Sequence, residues 1–505
     1  SPVYIWIKDG QVEIRSADHL WGKETAPVQS LIRAELGDER VRVAQIGPAG
    51  ETLVRYAAVM NDVTRAAGRN GMGAVMGSKN LKAVAVRGTT AVPVSSRERL
   101  NTVSRWLGQN YKDNMAWATS PTGKGTMDGL TSLAYSGGLP TQNFGKAVFE
   151  QAEMLSAERQ YELFFKDRDT CMACPVACKQ VFELHGPDPE HSLDPVYGGP
   201  EYETVGAYGS SCGVDDPFVV SKANELSNAY GLDTISAGMS IAFAMECFEN
   251  GIISEADTGG LAYRWGDGSI VLKSVNMIAR REGFGNILAE GVARMAERFG
   301  KASQPFNITV KGQELPMHEP RLKYALGLGY AVAPVGADHM MNMHDTVYVK
   351  AGEGLRRVNL ALEEKIGPVS ASVLDENKMK IFYNEVNWRH FQDCAVNCHF
   401  YPYDYSQMAE ALSAVTGVAY SIQDILTVGA RAQTLSRLFN LSEGFTADDD
   451  RIPVRVMKAF GEGPIAQNEI SEQDFALWQE LDNNEEAYSA LFTALGNQLK
   501  RDSRG

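Results

Sequence analysis

The sequence predicts an α+β protein, with a β-rich N-terminal region followed by two mainly α-helical regions. Strand-like segments of β-branched and aromatic residues end before residue 90, and helical periodicity dominates from about residue 95 onward. At 505 residues the chain is too long for a single hydrophobic core. We therefore predict three domains, at residues 1–94, 95–310 and 311–505.

The first region opens with a predicted hairpin, because the turn residues Asp9-Gly10 separate two strand-like segments. A helix follows, with Pro27 near its start and Gly37 just beyond its end, which are the preferred positions of these residues. The predicted elements are strands over Val3–Ile7, Val12–Ile14, Val41–Ile46 and Ala83–Arg87 and a helix over Thr25–Leu36.

The later regions are predicted from long runs with a period of about 3.6 residues. The clearest helices are Pro217–Tyr230, Thr234–Asn250, Gly285–Phe299, Ile422–Phe439 and Glu485–Leu499. Ile235–Phe248 is apolar but too short to cross a bilayer, so it is expected to be a buried helix. A strand-like link over Phe306–Val310 places a domain boundary near residue 310.

The overall charge and the cysteine content narrow the class of protein. A net charge of −15 argues against nucleic-acid binding, which usually needs a broad basic surface. The first residues lack the basic region and cleavage site of a signal peptide, and no membrane-spanning segment is predicted. Five of the seven cysteines fall in two tight groups, which fits a metal site in a reducing compartment. We therefore expect a cytoplasmic protein without nucleic-acid or membrane partners.

Three cysteines lie within eight residues, at Cys171, Cys174 and Cys178. Thiolates at this spacing can converge on one soft metal centre, and a later group holding Cys394 and Cys398 offers a fourth ligand. This pattern favours a [4Fe–4S] cluster. A structural zinc site, which more often shows two matched CxxC pairs, and inert core thiols are the alternatives.

The segment from Val63 to Gly88 contains no acidic residue although the protein is acidic. Its glycines let backbone N–H groups approach a ligand, and its cations could hold phosphate, so the segment predicts an anion-binding loop. A basic surface loop is the alternative. The residues concerned are Gly68, Gly71, Gly73, Gly77, Arg65, Arg69, Lys79, Lys82 and Arg87.

Together with further motifs, these segments resemble the aldehyde ferredoxin oxidoreductase family. The matching stretches are Ile46–Glu51, Asn61-Asp62, Arg65–Arg69, Gly73–Ala83, the cysteine triplet, Gly199–Glu203 and Gly231–Ser236. The resemblance implies a β-rich first domain, of which only the C-terminal part is present, and two helical domains. It also implies that further sequence precedes residue 1.

By resemblance, two pterins hold a tungsten ion, less often molybdenum, beside a [4Fe–4S] cluster whose fourth ligand is Cys398. The pterin contacts carried over by position are Arg65, Ala66, Gly68, Asn228, Asp233, Asp393 and Asn397. Asn228 stands where the family has an aspartate, and Val396-Asn397 replaces a Gly-Leu pair. Both substitutions bear on the fit of the pterins.

The resemblance further implies oxidation of an aldehyde to a carboxylic acid, with electrons passing to ferredoxin or an iron–sulfur subunit. The implied catalytic residues are Glu203 and His339, with His318 and His344 as neighbouring histidines of the same segment. The alternatives are a non-catalytic iron–sulfur electron-transfer subunit and a family branch that reduces aromatic CoA thioesters. The family's dimer-bridging iron site lacks its histidine here, which leaves a homodimer allowed but unsupported.

Overall fold

The α+β class is confirmed by a computed structural model, which describes residues 1–111, 123–172, 174–471 and 473–474. A six-stranded sheet occupies the first 87 residues, and helices with two small two-stranded sheets form the rest of the described chain. None of the helices in these ranges is long and apolar enough to cross a bilayer.

The N-terminal sheet has the strand order β2-β1-β6-β3-β4-β5. Its strands are β1 Val3–Lys8, β2 Gln11–Ser16, β3 Arg42–Gln45, β4 Val59–Asn61, β5 Arg65–Ala67 and β6 Leu81–Arg87. β1 and β6 pair in parallel, and the other neighbours are antiparallel. The predicted hairpin is confirmed as β1–β2. Sequence reasoning missed β4 and β5 because strands of three residues are too short to show alternation.

Helices are the main regular elements of the described chain beyond the sheet. They are α1 Thr25–Leu36, α2 Pro48–Glu51, α3 Met72–Ser78, α4 Arg97–Asn110, α5 Leu130–Tyr135, α6 Ala157–Phe164, α7 Tyr202–Tyr208, α8 Pro217–Tyr230, α9 Thr234–Glu249, α10 Gly268–Arg280, α11 Gly285–Leu288, α12 Val292–Phe299, α13 Tyr324–Val332, α14 Glu353–Leu362, α15 Glu376–Cys394, α16 Tyr405–Thr416, α17 Ile422–Ser442 and α18 Val454–Met457. The small sheets pair β7 Phe165–Asp169 with β8 Lys179–Phe182 and β9 Thr309–Val310 with β10 Gln313–Glu314.

Most of the predicted helices are confirmed, and two predicted elements are wrong in part. The helix expected over Gly285–Phe299 is two helices, α11 and α12, because Gly291 takes a φ of +81° and breaks the run. The strand expected over Phe306–Val310 is reduced to β9, and a 3-10 helix over Lys301–Phe306 precedes it. The helix predicted over Glu485–Leu499 lies outside the described residues.

Helix α9 is the centre of the main hydrophobic core. Every residue from Ile235 to Cys247 is buried, which confirms the expected buried helix. A helix that is apolar all round is stable only when other elements cover all its faces. Here α7 and α12 are among the helices that pack against it. The helices that carry the site residues described below are therefore anchored to a fixed core.

The glycines of the acid-free segment let two short helices pack very closely. A Cβ added to Gly77 of α3 would lie 1.9 Å from the carbonyl oxygen of Gly50 in α2. A Cβ on Gly73 would lie 2.5 Å from the carbonyl oxygen of Ala58. These glycines serve contacts within the protein, whereas a Cβ on Gly68 would meet only the Ala66 methyl group, at 3.8 Å. Among Gly68, Gly71, Gly73 and Gly77, only Gly68 has open space for a ligand beside it.

We expect Gly77→Ala to destabilise the N-terminal sheet region by roughly 1–3 kcal/mol or more, because backbone atoms must move to admit the methyl group. The check is the urea concentration at the midpoint of unfolding, monitored with a probe placed in this region. Gly88→Ala is the control, because a Cβ there has nothing within 4 Å. An unchanged midpoint for Gly77→Ala would show that α2 and α3 are not held in this contact.

Candidate functional site

Two segments bring the four predicted cluster cysteines to one place. Cys171, Cys174 and Cys178 lie on the loop of the β7–β8 hairpin, and Cys398 follows the end of α15. The pKa of the Cys178 thiol is raised to about 12, chiefly by burial and then by Glu201 and the other three thiols. The four sulfurs are therefore electrostatic neighbours.

The spacing of these sulfurs is wider than a single zinc ion requires. Tetrahedral zinc with bonds of about 2.3 Å holds its four sulfurs about 3.8 Å apart. In the described part of the chain, no three of the cluster cysteines have sulfurs within 4.8 Å of one another. A four-iron cluster is a larger body and holds its thiolates farther apart than one ion does. Among the described residues, the four sulfurs are therefore not gathered at the distances of a zinc site.

Arg65 of β5 joins the edge of the N-terminal sheet to the cysteine loop. Its Nε donates to Sγ of Cys171 at 3.3 Å, and its Nη2 donates to Asp169 at 2.9 Å. Ala66 is exposed and Gly68 is half-buried on the same edge. The first three predicted pterin contacts thus lie beside the cysteine loop, at the free edge of the sheet.

Arg69 connects this edge to two further segments of the site. Its Nε lies 3.3 Å from Oδ2 of Asp233, and its Nη1 donates to the carbonyl of Ala337 at 2.8 Å. Asp233 is itself the N-cap of α9, where it accepts from the backbone N–H of Ile235 at 3.0 Å. Arg69 therefore connects the predicted pterin contact Asp233 with Ala337, which lies two residues before His339 in the sequence.

Two other cations of the acid-free segment, Lys82 and Arg87, are already paired within the protein. Lys82 is buried and pairs with Glu51, and Arg87 pairs with Asp38 at 3.0 Å. The anion-binding interpretation of the whole segment is therefore too broad. Sequence alone could not separate these residues, because partners more than thirty residues away decide which cations are already neutralised.

Glu203 lies in the first turn of α7 with histidines on two sides. Its Oε1 is 3.2 Å from Nε2 of His318 and 3.4 Å from Nε2 of His339, and its Oε2 accepts from the backbone N–H of Met317 at 2.7 Å. The Oε1 atom is buried without a well-aligned hydrogen-bond partner among the described residues. The predicted pair of Glu203 and His339 is brought together, and His318 is a third member.

A metal ion is not the best explanation of this cluster. The ligand atoms of Glu203, His318 and His339 lie within 4.8 Å of one another, which would suit an ion. However, Nζ of Lys323 lies 3.0 Å from Nδ1 of His318. An ammonium group only donates, so the proton of neutral His318 is on Nε2, and that nitrogen has no free lone pair for a metal. The cluster is suited to moving and holding protons.

Asp393 and Asn397 lie on the segment that leads to Cys398. The Asp393 carboxylate is 3.0 Å from Nε2 of His399, and Asn397 is held by Gln392, whose carbonyl accepts its backbone N–H at 2.8 Å. The pKa of His399 is lowered, chiefly by burial, while the carboxylates of Asp393 and Asp338 act in the opposite direction. His399 thus pairs with Asp393 within the segment that leads to Cys398.

Asn228 of α8 is used inside the protein. Its side-chain amide donates to the carbonyl of Tyr197 at 2.8 Å. The backbone carbonyl of Asn228 accepts from the hydroxyl of Thr25. These contacts hold α8 against α1 and the loop before α7. The structure does not join Asn228 to the other predicted pterin contacts through any hydrogen bond between described residues.

His318 is the residue of this cluster whose role sequence reasoning missed. It lies closer to Glu203 than His339 does and stacks on Tyr202, with ring centroids 5.0 Å apart. Its loop has no regular period, so no pattern indicated the direction of its side chain. A histidine two residues after the Leu315-Pro316 pair was the signal that the sequence offered.

Family comparison agrees with these motifs along the chain. The profile described as "Aldehyde ferredoxin oxidoreductase, N-terminal domain" matches residues 1–88, and "Aldehyde ferredoxin oxidoreductase, domains 2 & 3" matches residues 102–482. The tungsten-containing aldehyde ferredoxin oxidoreductase of Pyrococcus furiosus is 37% identical over 474 residues, which cover 92% of this chain and 74% of that protein. Its counterpart from Thermococcus kodakarensis is also 37% identical, with the same coverage.

More distant similarity extends to other reactions. A protein of Pyrococcus furiosus named aliphatic sulfonate oxidoreductase, WOR-like subunit, is 30% identical over 359 residues, which are 67% of this chain and 56% of that protein. Among solved structures, the BamBC active site complex of benzoyl coenzyme A reductase with 1,5-dienoyl-CoA superposes with a TM-score of 0.72. It is 24% identical and covers 90% of this chain and 74% of that one, so it supports the fold alone. The profile matches and the 37% identity show that this chain is an oxidoreductase belonging to the aldehyde ferredoxin oxidoreductase family.

Proposed function

We propose that this protein oxidises an aldehyde to a carboxylic acid at a tungsten–bispterin centre and passes the electrons through a [4Fe–4S] cluster to ferredoxin or an iron–sulfur subunit. The observation that carries the proposal is the Glu203 carboxylate, which is buried between the Nε2 atoms of His318 and His339. The relatives named for tungsten and for aldehyde oxidation support the metal and the substrate class.

The reaction sets what the protein side chains must do. An aldehyde and one water give a carboxylic acid, two protons and two electrons. When bound, the tungsten centre supplies a two-electron acceptor, and the cluster supplies a one-electron carrier. The two protons need acceptors in a site that excludes bulk water.

Glu203 and its histidines are suited to receive those protons. The free Oε1 of Glu203 is the acceptor, because Oε2 is already occupied by the Met317 N–H. His339 is only 14% exposed at its side chain, and its Nδ1 is buried without a hydrogen-bond partner among the described residues. In this proposal Glu203 accepts a proton from water, and His339 orients the carbonyl or carries the proton onward.

The residues around the site also suit the two cofactors. The cysteine loop and Cys398 would hold the cluster, and Arg65, Ala66, Gly68, Asp233, Asp393 and Asn397 would contact the pterins in this proposal. Asn228 is the weakest of the proposed contacts, because its amide is already bonded to Tyr197. The seven cysteines are free, which fits the reducing cytoplasm that we propose as the location.

Metal analysis and an aldehyde assay test this function. We expect the anaerobically purified holoenzyme to contain one tungsten and about four irons per chain and to reduce a viologen dye with simple aldehydes. About four irons without tungsten or molybdenum would instead indicate an electron-transfer subunit. Zinc without iron would contradict the cluster, and activity only with an aromatic CoA thioester would contradict the substrate class.

We expect Arg65→Gln to lower the reduction potential of the cluster by roughly 20–60 mV, the equivalent of one hydrogen bond of about 0.5–1.5 kcal/mol. The Arg65 N–H to Cys171 sulfur bond stabilises the more negative, reduced cluster, so its loss disfavours reduction. Redox titration followed by EPR measures the shift. Arg65→Lys keeps the charge and should give a smaller fall, whereas an unchanged potential in both variants would contradict the contact.

A further inference from the structure

A buried lysine lies behind the histidines that approach Glu203. Lys323, just before α13, is 2% exposed. Its Nζ lies 3.0 Å from Nδ1 of His318 and 3.2 Å from Nδ1 of His344. The two imidazole rings meet edge to face, with centroids 4.7 Å apart. One ammonium group therefore contacts the inner nitrogen of both rings.

This contact decides where each imidazole carries its proton. A lysine ammonium has three donors and no acceptor, so both Nδ1 atoms must accept. The pKa values of His318 and His344 are lowered well below the usual value, chiefly by burial and then by the charge of Lys323. Both rings are therefore neutral at physiological pH, with their proton on Nε2.

The two Nε2–H groups lie beside the two predicted catalytic residues. Nε2 of His318 lies 3.2 Å from the free Oε1 of Glu203. Nε2 of His344 lies 3.1 Å from the backbone carbonyl of His339. The second contact is a hydrogen bond that holds the main chain from which the His339 ring extends. The first is a close N···O approach at the carboxylate without hydrogen-bond alignment. Catalytic hydrogen bonds are often loose until substrate is bound, which accounts for the imperfect alignment of the His318 Nε2–H group with Oε1 of Glu203.

We propose that Lys323 is a positioning residue of the oxidation: it fixes the Nε2–H tautomers of His318 and His344, which in turn orient Glu203 and His339. The inference rests on the proposed function and adds to it a buried cation that does not touch the substrate. Neither the family motifs nor the residue spacing in the sequence indicated a role for Lys323.

The charges around Lys323 keep it protonated at neutral pH. Burial lowers its pKa to about 8, whereas the carboxylates of Asp345 and Glu203 raise it. Asp345 is in turn paired with the buried Lys378, and His318 and His344 are the groups in direct contact. Above about pH 8 the lysine loses a proton and gains a lone pair, so it can accept as well as donate and its constraint on the tautomers weakens.

Replacement of the lysine by methionine tests the proposal. We expect Lys323→Met to lower kcat by roughly 10–100-fold with little change in the KM for the aldehyde, as for other supporting groups of a catalytic site. The decrease of wild-type kcat above about pH 8 should be absent from the variant. Lys311→Met is the matched control, because Lys311 is also a buried lysine, and its partner Asp450 keeps Arg437 as a second cation.

The tautomers are read directly from the ring ¹⁵N shifts of ¹⁵N-histidine-labelled protein. We expect Nε2–H for His318 and His344 in the wild type and mixed tautomers in Lys323→Met. A protonated Nδ1 on His318 in the wild type, or unchanged tautomers in the variant, would overturn the proposal. This measurement does not depend on aldehyde activity, so an inactive wild type would contradict the proposed function and leave the tautomer test intact.

A second pair of variants covers the case in which Lys323→Met does not fold. His318→Gln keeps an N–H near the Nε2 position, whereas His318→Phe keeps only the ring shape. We expect the glutamine variant to retain at least about tenfold more kcat than the phenylalanine variant, since only it can donate to Glu203. Equal kcat values would overturn the proposal, because the donor would then be irrelevant.

Discussion

Replacing Glu203 by glutamine is expected to lower kcat for aldehyde oxidation by about 10²–10⁴-fold, the usual contribution of a positioned acid–base group. The amide has nearly the same shape but cannot accept a proton at the position between His318 and His339. The measurement is steady-state dye reduction with an aldehyde, together with tungsten and iron per chain. Unchanged metal contents would assign the loss to the carboxylate and not to cofactor binding.

Glu290→Gln is the control for this variant. Glu290 is half-buried and pairs with Arg281 and Arg55 at 2.6 Å, away from the histidine cluster. We expect its kcat to stay within about twofold of wild type, as is normal for a substitution at a surface ion pair. A Glu203→Gln enzyme with wild-type kcat would show that another group accepts the proton, and the proposed mechanism would have to be abandoned.

Replacing Cys398 by serine is expected to remove most of the iron, from about four per chain towards none, and to reduce electron transfer to the dye to background. A cluster held by four thiolates loses its closing ligand when the remote cysteine is changed, since the hairpin supplies the other three. Iron analysis and the visible absorbance of the cluster measure the effect.

The Cys394→Ser variant distinguishes the role of Cys394 from that of Cys398. Cys394 is the last residue of α15, and it is not among the groups that chiefly raise the pKa of the Cys178 thiol, whereas Cys398 is. We therefore expect its iron content and absorbance to equal those of the wild type. Loss of iron in Cys394→Ser but not in Cys398→Ser would reverse the assignment of the fourth ligand.

The regular elements with a strong pattern were predictable from the sequence. Helix α1 and helix α8 were predicted with the bounds that the structure shows, because proline near the start and glycine after the end mark both of them. The single helix predicted over Gly285–Phe299 was wrong because its pattern hides the break at Gly291. The apolar period continues through this residue, and only the backbone conformation, at φ +81°, reveals the break.

For the site, the sequence by itself determined the kinds of residues and their local order. The triplet Cys171, Cys174 and Cys178 must form one local group, because a few intervening residues cannot separate the thiols far. The resemblance carried by Glu203, Asp233 and the glycine-rich segment was enough to assign the family, and the profile matches confirmed it.

Only the tertiary structure decided which of these residues meet. Glu203 and His318 are more than one hundred residues apart, and a network among Lys323, His318 and His344 depends on how two loops fold over α7. Hydrogen bonds act over about 3 Å, whereas a sequence pattern describes only neighbours on the same element. Partner choice, tautomer and burial are therefore properties of the packed molecule and not of any single segment.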